Sequence, residues 1–562
     1  MQGMKSWLIL AVLLISTGCA VAQSDYLNFG NKQYQLLDRL DIKLRHDSVL
    51  VFTTTQPYNR KRVTERVLYI DSLDKAGALP FSLSRIDRYN VQRLLMDNEE
   101  WAEKYYDSFR LRKPIFNTFY KNPGNMYAVN TSDFKLMVNP LLNLQYGRAD
   151  DGTGSIYVNT RGIALRGSIA NKVGFYTTIT DNQERDPLYV RQFVRKFNAV
   201  PGEGYYKTYG RSGYDYFDAR GGITFNAGRH FDFMFAYDKL FIGNGYRSLL
   251  LSDFSNSYLF LKINTRVWKF NYQNIFAELN SAFKYGPDTL RPKKYMAIHH
   301  LSFQAFKWLN VGVFESVVFG RQNGFELHYL NPVIFYKSIE QQVGSPDKTG
   351  VGFDFKINAP KNMQFYGQLL FNEFVAKQIF NYGAGSWRNK QALQLGVKYI
   401  DALGVKNLDL QGEVNFIRPY TYAHRDSISN FSHYNQPLAH PLGANARELV
   451  LLAKYQPVPK LYLQGRLIAY LQGLDSAGKN YGSNILLDYD THALTEGVRI
   501  GSGLPVHSVT AGLNVSWELF ENMFLDLNGT YRTYNIKGQP KSNTFFYTVG
   551  FRVNLQRREF NF

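Results

Sequence analysis

Apolar side chains recur at every second position through most of this chain, and nowhere after the first residues do they accumulate into a run of the ~20 that a spanning helix needs. In "FDFMFAYDK" Phe231, Phe233, Phe235 and Tyr237 fall on one face and Asp232, Met234, Ala236 and Asp238 on the other. "LDLQGEVNF" repeats the arrangement, with Leu408, Leu410, Gly412, Val414 and Phe416 opposed to Asp409, Gln411, Glu413 and Asn415. The same period appears in 351–357, 392–399, 460–467, 509–517 and 546–556. A period of two is the mark of a strand with unlike surroundings on its two faces. Aromatics reach 16 % while charged residues are only 20 % and mean hydropathy is slightly negative. This combination fits a wall with lipid on one side and water on the other better than a secreted sandwich, whose outward face carries more charge.

Backbone groups in hydrocarbon have no water to bond, so such a sheet spans only by closing on itself. The expected fold is therefore all-β, a transmembrane outer-membrane barrel over 129–562. At about 24 residues per strand and loop it has roughly 18 antiparallel strands, the last pairing with the first. The apolar stripe of the final segment, Tyr547 to Leu555, followed by Phe562, resembles the signal by which barrel-insertion machinery recognises its substrates. Residues 183–216, 418–447 and 472–507 are too long for tight turns and are expected outside the cell or folded into the lumen.

Before residue 129 the pattern differs. Lys5, the apolar run Trp7 to Ile15 and Ala20-Val21-Ala22 read as a secretory signal peptide, 1–22, whose removal takes away Cys19, the only cysteine. A lipoprotein signal at Gly18-Cys19 is the rival reading. Residues 23–128 are expected to form a small mixed or helical unit, periplasmic or plug-like, with one or two amphipathic helices over 85–109 and strands at "SVLVFTTT" and "RVLYI". The net charge of +19 in an exported chain points to lipopolysaccharide, anionic headgroups or acidic polysaccharide and not to nucleic acid, or simply to solvated loops and lumen.

Chemistry concentrates in three stretches. "RPYTYAHRDSISNFSHYNQPLAHPLGANARE" (418–448) holds His424, His433 and His440 with Arg418, Tyr420, Tyr422 and Asn445; rings beside amides and basic groups suit a sugar, whose C–H faces stack and whose hydroxyls bond. Histidine spacings of nine and seven match no metal pattern, and the bland alternative is an ordered loop with turns set by its prolines. In "GNGYRSLLLSDFS" Arg247 and Asp253 either face a ligand in the lumen or pair with each other. "FELHYLNPVIFY" brings His328 and Asn331 close to Glu326. No G-x-S-x-G, H-E-x-x-H or Walker sequence occurs, so neither an enzyme nor a cofactor is expected.

These stretches, with "FTTTQPYNR" (52–60), "FKLMVNPLLNLQYG" (134–147) and "NTRGIALRG" (159–167), resemble the Wzi-type capsule-assembly family, particularly its long variants in gliding and gut Gram-negative bacteria. The resemblance implies an outer-membrane barrel with a helical unit at its periplasmic mouth, and a lectin role in binding capsular polysaccharide and attaching or assembling it at the surface. Some similar proteins are instead associated with gliding motility, and an open porin-like channel is a further alternative. Gln56 stands where the family has a basic residue. By this resemblance the polysaccharide-binding candidates are Arg247, Asp253, His328, Asn331, Arg418, Tyr420, His424, His440 and Asn445.

Overall fold

The computed structural model describes residues 25–111, 113–281, 292–321, 324–333, 335–344, 347–373 and 385–562. The signal-peptide reading lies outside them. The chain closes into an antiparallel barrel of eighteen wall strands. In order these are β1 Phe134–Ala149, β2 Gly154–Ile169, β3 Val173–Arg185, β4 Gly213–Ala227, β5 Phe231–Asp238 and β6 Tyr258–Val267. There follow β7 Phe270–Asn280, β8 Lys293–Phe306, β9 Leu309–Phe319, β10 Lys348–Ile357, β11 Met363–Glu373 and β12 Lys390–Tyr399. The wall ends with β13 Leu408–Ile417, β14 Ala446–Val458, β15 Leu461–Leu474, β16 Leu504–Phe520, β17 Met523–Ile536 and β18 Ser542–Val553.

Closure is made by β18 on β1, with registers from Phe546 opposite Ala149 to Val553 opposite Leu142. The alternation seen in the sequence becomes inside and outside: Phe231, Phe235 and Tyr237 are 41–46 % exposed on the outer face, whereas Asp232, Met234 and Ala236 are buried within. Trp268, Phe306, Trp308, Trp517 and Phe520 project outward beside the short turns, an aromatic girdle of the kind that seats a barrel at a membrane interface. Among the described residues no helix is long and apolar enough to cross a membrane; the wall crosses with strands.

The short turns, at 228–230, 268–269, 307–308, 459–460 and 521–522, lie at one end, where a helical plug also sits. Its helices are α1 Gln33–Leu44, α2 Arg60–Lys75 and α3 Arg85–Asp97, packed on Leu36, Leu40, Val63, Val67, Val91 and Leu94. Asn59 caps α2 by accepting from Arg62 N, and Ser84 with Asp87 forms a capping box on α3. "RVLYI", expected as a strand, is inside α2. Val63, Val67 and Ile70 recur at helical spacing and bury one face, which outweighs the strand preference of the β-branched residues. The first expected strand likewise becomes a 3₁₀ turn at Leu50–Phe52 and a two-residue strand, Thr55–Gln56. Ion pairs fasten the plug to the wall: Lys356 to Asp41 at 2.8 Å, Arg62 to Asp232 at 2.8 Å, Arg93 to Glu521 at 2.7 Å and Lys32 to Glu518 at 2.7 Å.

The apolar stripe expected over Tyr547 to Leu555 leaves the wall at Val553. Asn554, with φ 52°, turns the chain inward, and residues 555–562 run up the lumen as an extended strap. Arg557 donates to Gln464 Oε1 (2.8 Å), Arg558 pairs with Glu184 (2.7 Å) and Arg466 with Glu559 (2.7 Å). Phe562 ends against Phe193, with ring centroids 4.5 Å apart, on helix α4 Leu188–Phe197 at the opposite end of the barrel. Charged side chains with lumenal partners therefore draw the segment off the lipid face, and its terminal aromatic is not part of the wall.

Candidate functional site in the loop cap and lumen

The long connections, 186–212, 239–257, 418–445 and 475–503 among them, gather at the end opposite the plug. The segment 418–445 leaves β13 and folds inward, so most of its side chains are buried. Arg418 donates from Nε to Asn389 O (2.7 Å) and from Nη2 to Ser386 O (3.2 Å) and Val498 O (3.3 Å). Tyr420 sits at φ 64° and donates its hydroxyl proton to Asn480 O at 2.8 Å. Gly482 lies so close that a Cβ there would stand 2.5 Å from Tyr420 N, which only glycine permits. Asn445 bonds four backbone groups at once: it donates to Gly473 O, Ser502 O and Tyr481 O at 2.7–3.1 Å and accepts from Gly501 N at 2.8 Å. His424 is 3 % exposed, with its ring edge-on to Tyr489 at 5.7 Å.

Around these residues lies an aromatic cluster that the sequence did not reveal. Trp387 stacks on His492 at 4.1 Å, and the Lys390 ammonium lies over the rings of Tyr489 (3.2 Å) and Trp387 (4.7 Å). Trp387, Tyr489 and His492 come from connections with no periodicity, and only the fold brings them together.

Below the cap, Arg247 grips Glu448 with Nη2 at 2.9 Å and Nε at 3.2 Å, so its partner is Glu448 and not Asp253. Glu413 accepts from the backbone N–H of Tyr246 (2.7 Å) and of Arg247 (3.1 Å), and Asn415 donates to both carboxylates. Burial alone would weaken the guanidinium's hold on its proton, but Glu448 more than reverses this and raises Arg247 above its ordinary value. His440 completes the network. Its Nδ1 accepts from Leu442 N (3.3 Å), so Nε2 carries the proton and donates to Glu448 at 2.9 Å. The ring is fully buried and its pKa is lowered: burial dominates, and Glu448 offsets it only in part. A histidine depressed in the folded state contributes stability that is present above its unfolded value, about 6.5, and is lost as pH falls below it. Acidification from pH 7.5 to 5 is therefore expected to loosen the cap, read as faster protease cleavage within 418–445. His440→Gln, which keeps a donor toward Glu448 but cannot titrate, should flatten that profile; an unchanged pH dependence would exclude His440 as its source.

A cavity of about 420 Å³ lies in the lumen between plug, strap and cap, within the ~300–1,000 Å³ range of small-molecule sites. Glu203, Asp218, Arg220, Lys239, Arg247 and Asp253 line it. The structure thus places Arg247 and Asp253 on one chamber, and Arg418, Tyr420, His424, His440 and Asn445 in the cap above. His328 and Asn331 are elsewhere, on a segment that folds over the outside of the wall: His328 is 73 % exposed in its side chain and touches Glu326 (2.7 Å), and Asn331 is exposed. Among the described residues no group of three or more His, Cys, Asp or Glu is placed to hold a metal ion.

A row of exposed side chains on the cap was also missed. Tyr205, Lys207, Tyr209 and Arg211 alternate along the connection from α4 to β4, each exposed; Tyr205 reaches 68 % and Tyr209 41 %.

By sequence, neither a protein-family profile nor a curated protein matches the chain. By structure it is similar to Wzi of Escherichia coli, described as an outer membrane protein involved in group 1 capsule assembly and a carbohydrate-binding β-barrel. That match has a TM-score of 0.53 at 12 % identity and covers 96 % of this chain and all of that one. OprD of Pseudomonas aeruginosa (TM-score 0.41, 10 % identity, 74 % of this chain and 95 % of that one) and OccAB2 of Acinetobacter baumannii (0.39, 10 %, 74 % and 97 %) are more distant. The resemblance carried by the sequence motifs is met in three dimensions: the chain is an outer-membrane-type barrel of eighteen strands with the fold of the capsule-assembly protein Wzi.

Proposed function

We propose that the protein binds an extracellular polysaccharide at its loop end and helps attach or assemble it at the cell surface. The observation that carries this reading is the exposed row Tyr205, Lys207, Tyr209 and Arg211, standing beside cap segments that Arg418, Tyr420 and Asn445 tie together. Flat rings spaced four residues apart offer separate stacking faces to sugars along a polymer, and the interleaved cations suit an acidic one. Weak single contacts suffice, because repeating units on one polymer bind with avidity. Arg418, Tyr420, His424, His440 and Asn445 serve this surface by holding the loops, and Arg247 and Asp253 by shaping the chamber below. A lumen crossed by plug and strap favours a binding barrel over an open channel. The fold shared with a carbohydrate-binding barrel agrees with it.

Replacing Tyr205 and Tyr209 together by alanine is expected to lower affinity for acidic glycans about tenfold or more, with no change in thermal stability because both rings face solvent. Glycan-array binding by the purified protein and the ratio of cell-bound to shed polysaccharide in a deletion strain are the measurements. Unchanged binding in the double variant would remove this surface from consideration, and unchanged retention in the deletion strain would remove the function.

A further inference from the structure

Between the plug, the start of the strap and the wall strands β14–β16 lies a second lumenal cavity, of about 280 Å³. It runs to the plug-end rim, since Asn522 of the turn 521–522 and Gln456 beside the turn 459–460 line it. Asn554 to Arg557 line both this cavity and the larger chamber, so the strap divides the two. The charge of the smaller cavity is one-sided. Lys32, Arg60, Arg166, Lys454, Arg552 and Arg557 line it against a single carboxylate, Asp97.

Four of the six cations have counter-charges of their own. Lys32 meets Glu518 at 2.7 Å, Arg60 meets Asp25 at 2.9 Å, Arg166 meets Glu100 at 2.9 Å and Arg552 meets Asp526 at 2.6 Å. Lys454 and Arg557 have none: among the described residues no carboxylate oxygen lies within 4.0 Å of the charged nitrogens of either. The acids nearby are already engaged. Asp97 accepts from the amides of Gln33 (3.0 Å) and Asn522 (3.1 Å). Asp409, directly across from Lys454 in register, is held by Arg39 and by Gln35 (2.8 Å). Glu559, two residues along the strap from Arg557, is held by Arg466 (2.7 Å) and Asn514 (2.6 Å).

The two unmatched cations converge. Lys454 and Gln464 are direct cross-strand partners, which sets their side chains next to one another on the lumenal face. Arg557 donates to Gln464 Oε1 at 2.8 Å and to Ser516 Oγ at 3.2 Å. Both cations are half-buried, and a charge drawn out of water toward neutral partners alone is costly. An anion set between them supplies what is missing. The amides of Gln456, Asn554 and Gln556 line the same space and suit hydroxyl groups as donors and acceptors. We infer that this cavity binds a small hydroxylated anion, a single sugar bearing a carboxylate or a phosphate, with Lys454 and Arg557 as its charge partners. The volume lies just below the ~300–1,000 Å³ of most small-molecule sites, and so admits one ring and not a chain. Because Arg557 belongs to the strap, the site is complete only with the strap in place, and the ligand fastens the strap to the wall. This site is separate from the loop surface and does not depend on polymer binding there.

Lys454 has no ion pair to lose, which gives the test its sign. Full-length protein in detergent is melted with glucuronate, glucose 6-phosphate, inorganic phosphate or glucose at matched ionic strength. Glucuronate, glucose 6-phosphate or both should raise the melting temperature, inorganic phosphate should raise it less, and glucose should leave it unchanged; a response to one sugar anion alone supports the inference and fixes the charged group. By calorimetric titration Lys454→Gln and Arg557→Gln should each weaken binding about tenfold or more. Ligand-free Lys454→Gln should melt at or above the wild-type temperature, as no structural lysine would. Tyr205→Ala with Tyr209→Ala should respond as wild type does, which separates this site from the loop surface. Stabilisation by neither sugar anion, equal stabilisation by glucose or by inorganic phosphate, a response that survives both substitutions, or a ligand-free Lys454→Gln that melts below wild type would each overturn the inference.

Discussion

Replacing Arg39 by alanine is expected to release the plug. Arg39 projects from α1 into a ring of carboxylates. Its Nε meets Asp87 of α3 at 2.8 Å, its Nη2 meets Asp401 in the β12–β13 turn at 2.8 Å, and its Nη1 pairs with Asp409 of β13. It thus joins two plug helices to the wall from a position only 4 % exposed. Burial by itself would raise the Asp87 carboxyl. Arg39 and Lys43 more than reverse this and hold it well below the usual carboxylate range. Removing one partner of such a buried cluster leaves uncompensated charge and costs about 3–5 kcal/mol, far more than an exposed pair is worth. Trypsin cleavage within α2 should accelerate by roughly two to nearly four orders of magnitude if it proceeds through plug opening. Arg39→Lys should recover little, because a single ammonium cannot reach three carboxylates in the plane of a guanidinium. Acid acts in the same direction. A depressed Asp87 contributes stability that is full above about pH 4 and is lost as pH falls below it, so the wild-type plug should loosen there while Arg39→Ala, already loosened, should respond less. A variant cleaved at the wild-type rate would mean that the plug is held by its apolar core alone.

How much of this was legible in the sequence varies with the range over which each feature is encoded. The wall was, because a period of two is written locally: Phe231 to Asp238 and Leu408 to Phe416 divide between faces in the structure as they do on paper. The closure of β18 on β1 followed from the chemistry of hydrocarbon. The strap was not legible, because "RREFNF" has no period and its partners, Glu184 and Arg466, are far away in sequence. The candidate residues divide similarly. Arg418, Tyr420, His424, His440 and Asn445 lie in one segment, which the sequence shows, but bonds from this set to backbone carbonyls and to Glu448 are indicated by no spacing rule. His328 and Asn331 lie in a long connection like the others, and length does not say whether a connection folds over the lumen or down the outside of the wall. Tyr205 and Tyr209 were overlooked because they alternate for too few residues to register as a strand.

Arg247→Met is the counterpart at the other end of the barrel, and here a second substitution separates charge from packing. Glu448 is fully buried and shared between the Arg247 fork and His440, and Glu413 beside it accepts the two backbone N–H groups of the segment that carries Arg247. Met fills most of the volume of the arginine stem but leaves Glu448 with a neutral imidazole and an amide for company, at an expected cost of about 3–5 kcal/mol. Arg247 also donates to Asn561 O, so the upper end of the strap loses an anchor at the same time. The expected readouts are a lower melting temperature of the folded form on semi-native gels and faster cleavage of the cap by protease added to intact cells. Arg247→Met combined with Glu448→Gln should regain most of the loss, because a buried ion pair replaced on both sides no longer strands a charge, whereas Arg247→Ala with wild-type Glu448 should not. If the double variant is as unstable as the single, the arginine acts through its packing and its bond to the strap, and the carboxylate network is not what holds the cap in place.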